Sequence, residues 1–250
     1  MKTVASEDRI DTRRASAVQT YARLAGVLTL LSFVAGGFGE AYVPSRLVVA
    51  NDAAATVENV KSLDIIFRLG FAGYLVEACC DITLALIFYV LLKPVNRYVS
   101  LLAAFFGLMG TATFAAAELF YFVPTILLRG GGYLKSFPSD QLNSFVLLSF
   151  KLFGLGAVIF TVFYGMGWVL RGYLMFQSGY LPKLLGILMS AGLAFIASNF
   201  AVVLAPGIRS GWLLFLMMPG LLAMTVWLLV KGVDLDRWEE KTASASSLPL

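Results

Sequence analysis

Six apolar runs alternate with short polar segments along residues 21–232: Leu24–Val43, Gly70–Leu92, Val99–Leu127, Phe145–Phe176, Leu181–Leu204 and Trp212–Val230. An apolar run of about 20 residues crosses a ~30 Å hydrocarbon core as a helix. In lipid, only helices and closed barrels satisfy every backbone polar group. The pattern predicts an all-α fold: a polytopic transmembrane helical bundle of six helices. The fourth run exceeds one perpendicular crossing at about 1.5 Å per residue, so it is tilted or begins above the membrane.

The polar segments fill in the rest. Met1–Thr20 reads as a loose cytoplasmic tail, and residues 233–250 as a second one. The first is not a cleaved signal, because its charged region is long and contains Glu7, Asp8 and Asp11. The longest outside loop, Pro44–Leu69, holds a short surface helix over Asp52–Ile66. Asp52 supplies the N-cap, and Val57, Val60 and Ile65 form a narrow apolar stripe. In the second outside loop, Gly130-Gly131-Gly132 reads as a plain turn, with a hinge or an anion-binding nest as alternatives. A weak internal repeat pairs Phe67-Arg68-Leu69-Gly70 with Phe150-Lys151-Leu152. Each opens a span that runs to a short loop with Pro94 or Pro182, as in two parallel helical hairpins.

Composition and charge sharpen this picture. Hydrophobic residues make up 59% of the chain and charged ones 14%, against about a quarter charged in soluble domains. The net charge of +4 comes from Lys and Arg flanking the spans, so it signals orientation and not nucleic acid. With the N-terminus inside, the inside segments hold Lys2, Arg9, Arg13, Arg14, Arg23, Lys93, Arg97, Arg171, Lys183, Lys231, Arg237 and Lys241. The outside segments hold only Arg46, Lys61, Arg68, Arg129, Lys135 and Arg209. This bias places both termini in the cytoplasm. The two cysteines, Cys79 and Cys80, are helical neighbours that point in different directions, so they read as small buried hydrophobes. Histidine is absent, which removes the commonest metal ligand and general base.

Candidate chemistry lies in ionisable residues at membrane depth. Glu77 and Asp81 fall about 10 Å and about 16 Å below the start of their run, on one helix face. A carboxylate near the bilayer centre costs about 2.5–3.5 kcal/mol even on insertion scales, so Asp81 demands a partner or a task. Glu40, Arg68, Glu118, Lys151 and Asn199 fall in or at the outer halves of their spans. Together these seven outline a polar pocket open to the outside. Glu118 or Glu77 is the expected partner of Lys151. The bland alternative has Arg68 and Lys151 snorkelling to headgroups, Glu40 at the interface, and Asp81 in a structural hydrogen bond. Glycines in most of the spans (Gly36, Gly39, Gly107, Gly165, Gly186 and Gly192 among them) permit close helix approach, and Pro124, Pro206 and Pro219 mark stops or kinks.

Several stretches together resemble the bacterial membrane-protein family catalogued as domain of unknown function 4386. They are Asp52–Thr56, Phe67–Phe71, Asp81 with Leu84–Leu86, Tyr89–Asn96, Leu101–Leu108 and Ser178–Gly186. The resemblance covers about residues 21–232 and implies six membrane helices in a bacterial inner membrane. It implies no activity. Members often carry an aromatic–histidine pattern in the fourth span, but Phe160–Trp168 here has none, so histidine chemistry does not transfer. The chain also lacks the Gly-x-Gly-Asp, His-Glu-x-x-His and Gly-x-Ser-Gly signatures of membrane enzymes, a phosphate loop and a dinucleotide fingerprint. No cofactor or metal is expected. Two functions remain. The bundle binds or moves a small solute or proton through the polar pocket, or it is a non-catalytic scaffold or partner subunit whose polar residues hold helices together. Its surroundings are the lipid bilayer in either case.

Overall fold

The long apolar runs have few backbone breakers, so most of them form single helices. The computed structural model describes residues 2–204 and 215–246. Helix α1 spans Lys2–Gly36 and passes through a π-helical turn, Gly37–Tyr42, into α2 (Val43–Leu47). Then come α3 (Ala53–Ser62), α4 (Asp64–Leu92), α5 (Arg97–Arg129) and α6 (Ser139–Ser178). They are followed by α7 (Lys183–Met189), α8 (Gly192–Leu204), α9 (Met218–Val230) and α10 (Leu235–Ser246).

Five helical stretches are long and apolar enough to cross a membrane: Ser16–Leu47, Asp64–Leu92, Arg97–Arg129, Ser139–Ser178 and Lys183–Ala201. A sixth is reached if Phe215–Val230 and Leu235–Ala245, which meet at a 100° bend, count as one span. The start of the sixth predicted run, residues 212–214, lies outside the described residues. The protein is a multi-pass helical membrane protein.

Three local expectations change. The N-terminal segment is helical from Lys2, because no glycine or proline precedes Gly26 and a helix already nucleated by the apolar run propagates at little cost. The surface helix ends at Ser62, so Ile65 belongs to α4 and is 73% exposed. Its other features hold: the Asp52 side chain accepts from the Ala55 N–H at 2.9 Å, and Val57 and Val60 are buried. The 235–246 stretch of the second tail is the amphipathic helix α10, with Trp238 buried. The glycine triplet is a turn, with Gly130 at φ 69° followed by a short 3-10 turn at Gly132–Leu134.

The chain divides into two compact units. Unit 1 comprises Met1–Leu30, Asp81–Met109 and Thr161–Leu250, and unit 2 comprises Leu31–Cys80 and Gly110–Phe160. In unit 1, the buried face of α1 (Val18, Ala22, Ala25) joins Leu91, Leu174, Met175, Met189 and Leu228 in one hydrophobic core. The Leu91 carbonyl accepts from the Tyr180 hydroxyl at 2.8 Å and the Trp238 indole at 3.1 Å, so α10 and the α6–α7 loop share one acceptor at the end of α4. Burial pushes the Tyr180 hydroxyl above the usual phenol range. Gln19 of α1 donates to the Lys231 carbonyl at 2.8 Å and accepts from the Val233 N–H at 3.1 Å. That clamp spans Gly232, whose φ of 70° turns the chain from α9 toward α10.

In unit 2, the core is aromatic. Phe67 stacks on Tyr121 with ring centroids 5.0 Å apart, and Phe114 stacks on Phe160 at 4.7 Å. Phe67 and Phe150, the paired positions of the weak repeat, meet edge to face at 6.4 Å. Thr56 is fully buried, and its hydroxyl donates to the Asp52 carbonyl at 2.7 Å and accepts from the Val49 N–H at 3.0 Å. These bonds pin α3 beside the end of α2.

Candidate carboxylate site in unit 2

Close backbone approach sets the geometry of the site. A Cβ on Gly39 would lie 2.6 Å from the Gly70 carbonyl oxygen, so the π turn and α4 meet with no side chain between them. One turn earlier, a Cβ on Gly36 would lie 2.5 Å from Glu77 Oε2, so the Glu77 carboxylate occupies the space above that glycine. Glu40 lies within the π turn itself, a rare element that widens a helix locally and recurs at functional sites.

Glu118 of α5 is the third carboxylate. It is 3% exposed, and its Oε2 has no hydrogen-bond partner among the described residues. Its charge interacts with that of Glu40. On the same face of α5 it lies between Phe114, four residues before, and Tyr121, three residues after, both buried. The Tyr121 hydroxyl donates to the Phe67 carbonyl at 3.1 Å. One further turn along, the buried Thr125 hydroxyl also lacks a partner among the described residues. Tyr121 and Thr125 were missed in the sequence because each alone reads as ordinary core. Their spacing of three and seven residues from Glu118 was the available signal.

The seven expected site residues fall in both units. Glu40, Glu77 and Glu118 belong to unit 2, as do Arg68 and Lys151. Arg68 forms a salt bridge with Asp64 at 2.8 Å in an exposed position one turn away on α4. Lys151 is exposed and makes no salt bridge among the described residues, so its expected pairing with Glu118 or Glu77 is corrected. The reason is rotational: Phe150 and Phe153 take the inward face of α6, which turns Lys151 outward. Asp81 and Asn199 belong to unit 1. Asn199 is buried and donates to the Phe195 carbonyl of its own helix at 2.7 Å.

Asp81, 7% exposed, instead has a countercharge in unit 1. Arg171 of α6 is 6% exposed, and the two charges interact. The Arg171 guanidinium stands 5.2 Å from the Phe88 ring centroid. A Cβ on Gly107 would lie 2.6 Å from its Nη2, so the guanidinium packs directly against that glycine. In the sequence Arg171 counts among the orientation-setting cations, yet it lies inside the apolar run Phe145–Phe176, and that was the overlooked signal. Among the described residues no three His, Cys, Asp or Glu side chains group as metal ligands.

Residues 24–232 match the profile of the family described as Domain of unknown function (DUF4386). The chain belongs to this family. The DUF4386 match begins within α1 and ends at Gly232, the turn after α9, so it contains Glu40, Glu77 and Glu118 and the Asp81–Arg171 pair. An uncharacterised protein of Archaeoglobus fulgidus is 29% identical over 160 residues, 62% of this chain and 79% of that protein. No solved structure matches the chain.

Proposed function

We propose that this DUF4386 protein binds a proton or a small cationic solute at Glu118, reached from the outer side of the membrane. The observation that carries this reading is the Glu118 carboxylate, buried to 3% exposure with one oxygen lacking a hydrogen-bond partner among the described residues. A buried carboxylate oxygen without a donor is costly, and the neighbouring Glu40 charge adds repulsion. A proton or a cationic group relieves both penalties at once. Glu40 is carried by a π turn, an element that recurs at functional sites.

The test is infrared difference spectroscopy of the purified protein between acid and alkaline buffer. The wild type should show a protonated-carboxyl band that changes with pH. Glu118→Gln, confirmed as folded by its helical circular dichroism, should lack that component. An unchanged band in Glu118→Gln rejects the reading.

The buried polar residues of unit 1 favour a second role. Asp81 and Arg171 carry opposite charges in mutual reach, which is how a structural pair holds helices together. We therefore assign Asp81 to architecture and Glu118 to ligand binding.

The proposed location is a bacterial inner membrane with both termini in the cytoplasm, supported by the Lys and Arg bias between the loops. In a chain with Cys79 and Cys80 replaced by alanine, a cysteine at Gly131 should react with a membrane-impermeant reagent in intact cells. A cysteine at Asn96 should react only after permeabilisation. The reverse pattern overturns the orientation.

A further inference from the structure

We propose that unit 2 carries a second binding site, for a small zwitterion, in a cleft between α3 and the first turns of α6. The cleft has a volume of about 550 Å³, within the roughly 300–1,000 Å³ range of small-molecule sites. Glu58, Lys61 and Ser62 line it from α3, and Ser139 and Asn143 from α6. Glu118 is not among its lining residues, so this site is distinct from the carboxylate site.

The charges select the ligand class. The lining holds one carboxylate and one ammonium. Glu58 and Lys61 are three residues apart on one helix and so share a face. Yet they form no salt bridge: those found among the described residues are Arg68–Asp64 and Arg237–Asp234. Both charged heads are therefore free to meet a ligand. A purely anionic or cationic molecule would satisfy one head and oppose the other. A molecule that carries an ammonium and an anionic group satisfies both, and the hydroxyls of Ser62 and Ser139 and the amide of Asn143 can bond its remaining polar atoms.

The α3 wall is already ordered. The Asp52 cap, the buried Thr56 hydroxyl and the bond from Asn59 Nδ2 to the Leu47 carbonyl at 3.3 Å fix that helix at its start, middle and end. A preformed wall reduces the ordering cost of binding. The same chemistry occurs in a free zwitterion and in the headgroup of a zwitterionic phospholipid. The cleft adjoins the loop-side end of the membrane helix α6, where either source can reach it.

The experiment uses the full chain in nanodiscs of phosphatidylglycerol, which carries no amine. Equilibrium dialysis with phosphoethanolamine and with glycine should show saturable binding of at least one of them. Glu58→Gln and Lys61→Met should each weaken that binding by about tenfold or more, the scale of one lost charge contact. Both side chains are exposed, so both variants should keep the wild-type melting temperature. Inorganic phosphate and ethanolamine, each with half of the charge pair, should bind far more weakly. If phosphatidylethanolamine nanodiscs abolish binding of the soluble zwitterion, the lipid headgroup is the source. If binding persists there, the free solute is. The proposal is overturned if neither zwitterion saturates, if both variants bind as the wild type does, or if the single-charge compounds bind equally well. None of these outcomes bears on the infrared test of Glu118.

Discussion

Arg171→Met should destabilise the protein by about 3 kcal/mol, the low end of the cost of removing one partner of a buried ion pair. Arg171 and Asp81 are both buried and interact through their charges. The substitution leaves the Asp81 carboxylate, 7% exposed, without its countercharge, and removes the guanidinium from the Phe88 ring. Asp81→Asn should also destabilise, since it leaves Arg171 charged at 6% exposure. The decisive measurement is a double-mutant cycle by reversible denaturant unfolding in detergent. The neutral pair Asp81→Asn with Arg171→Met should recover much of the loss of Arg171→Met alone. Additive losses would separate the two residues energetically and remove the structural role assigned to them.

Gly186→Ala should cost about as much, roughly 3 kcal/mol, the upper end for forcing one methyl group into a filled interface. A Cβ there would lie 2.6 Å from the Gly172 carbonyl oxygen and 2.7 Å from the Phe176 backbone nitrogen. Both obstacles are main chain of α6, so no side-chain rotation relieves them. The contact is reciprocal: a Cβ on Gly172 would lie 2.8 Å from the Gly186 carbonyl oxygen. The same helix offers an internal control. A Cβ on Gly154 would meet nothing within 4 Å, so Gly154→Ala should be neutral or stabilising by up to about 1 kcal/mol through helix propensity. Unfolding curves that coincide for the two variants would show that α6 and α7 can separate at no cost.

The apolar runs were legible because a bilayer demands about 20 consecutive apolar residues, a signal that needs no tertiary information. The Asp52 cap was legible because it is satisfied within three residues. Glu40, Glu77 and Glu118 could be named as unusual from depth alone. What depth cannot supply is rotation about each helix axis. Lys151 was matched to Glu118 because both belong to outer halves, but Phe150 and Phe153 claim the inward face of α6. Asp81 was matched to the same outer group, while its countercharge, Arg171, was hidden in a count of orientation-setting cations.

The amino-acid pattern alone was enough to establish a helical membrane protein, the approximate positions of its long apolar helices, and which ionisable groups are costly enough to require an account. Those properties follow from composition and local periodicity, which the solvent reads one segment at a time. Helix packing settled which glycines carry backbone contacts, which buried charges face each other, and that Glu118 has an oxygen unserved among the described residues while Asn199 bonds its own helix. Those depend on the rotation and register of packed helices. They are fixed by the fit of side chains such as Phe67, Tyr121 and Phe150, and residues distant in the chain contribute to that fit together.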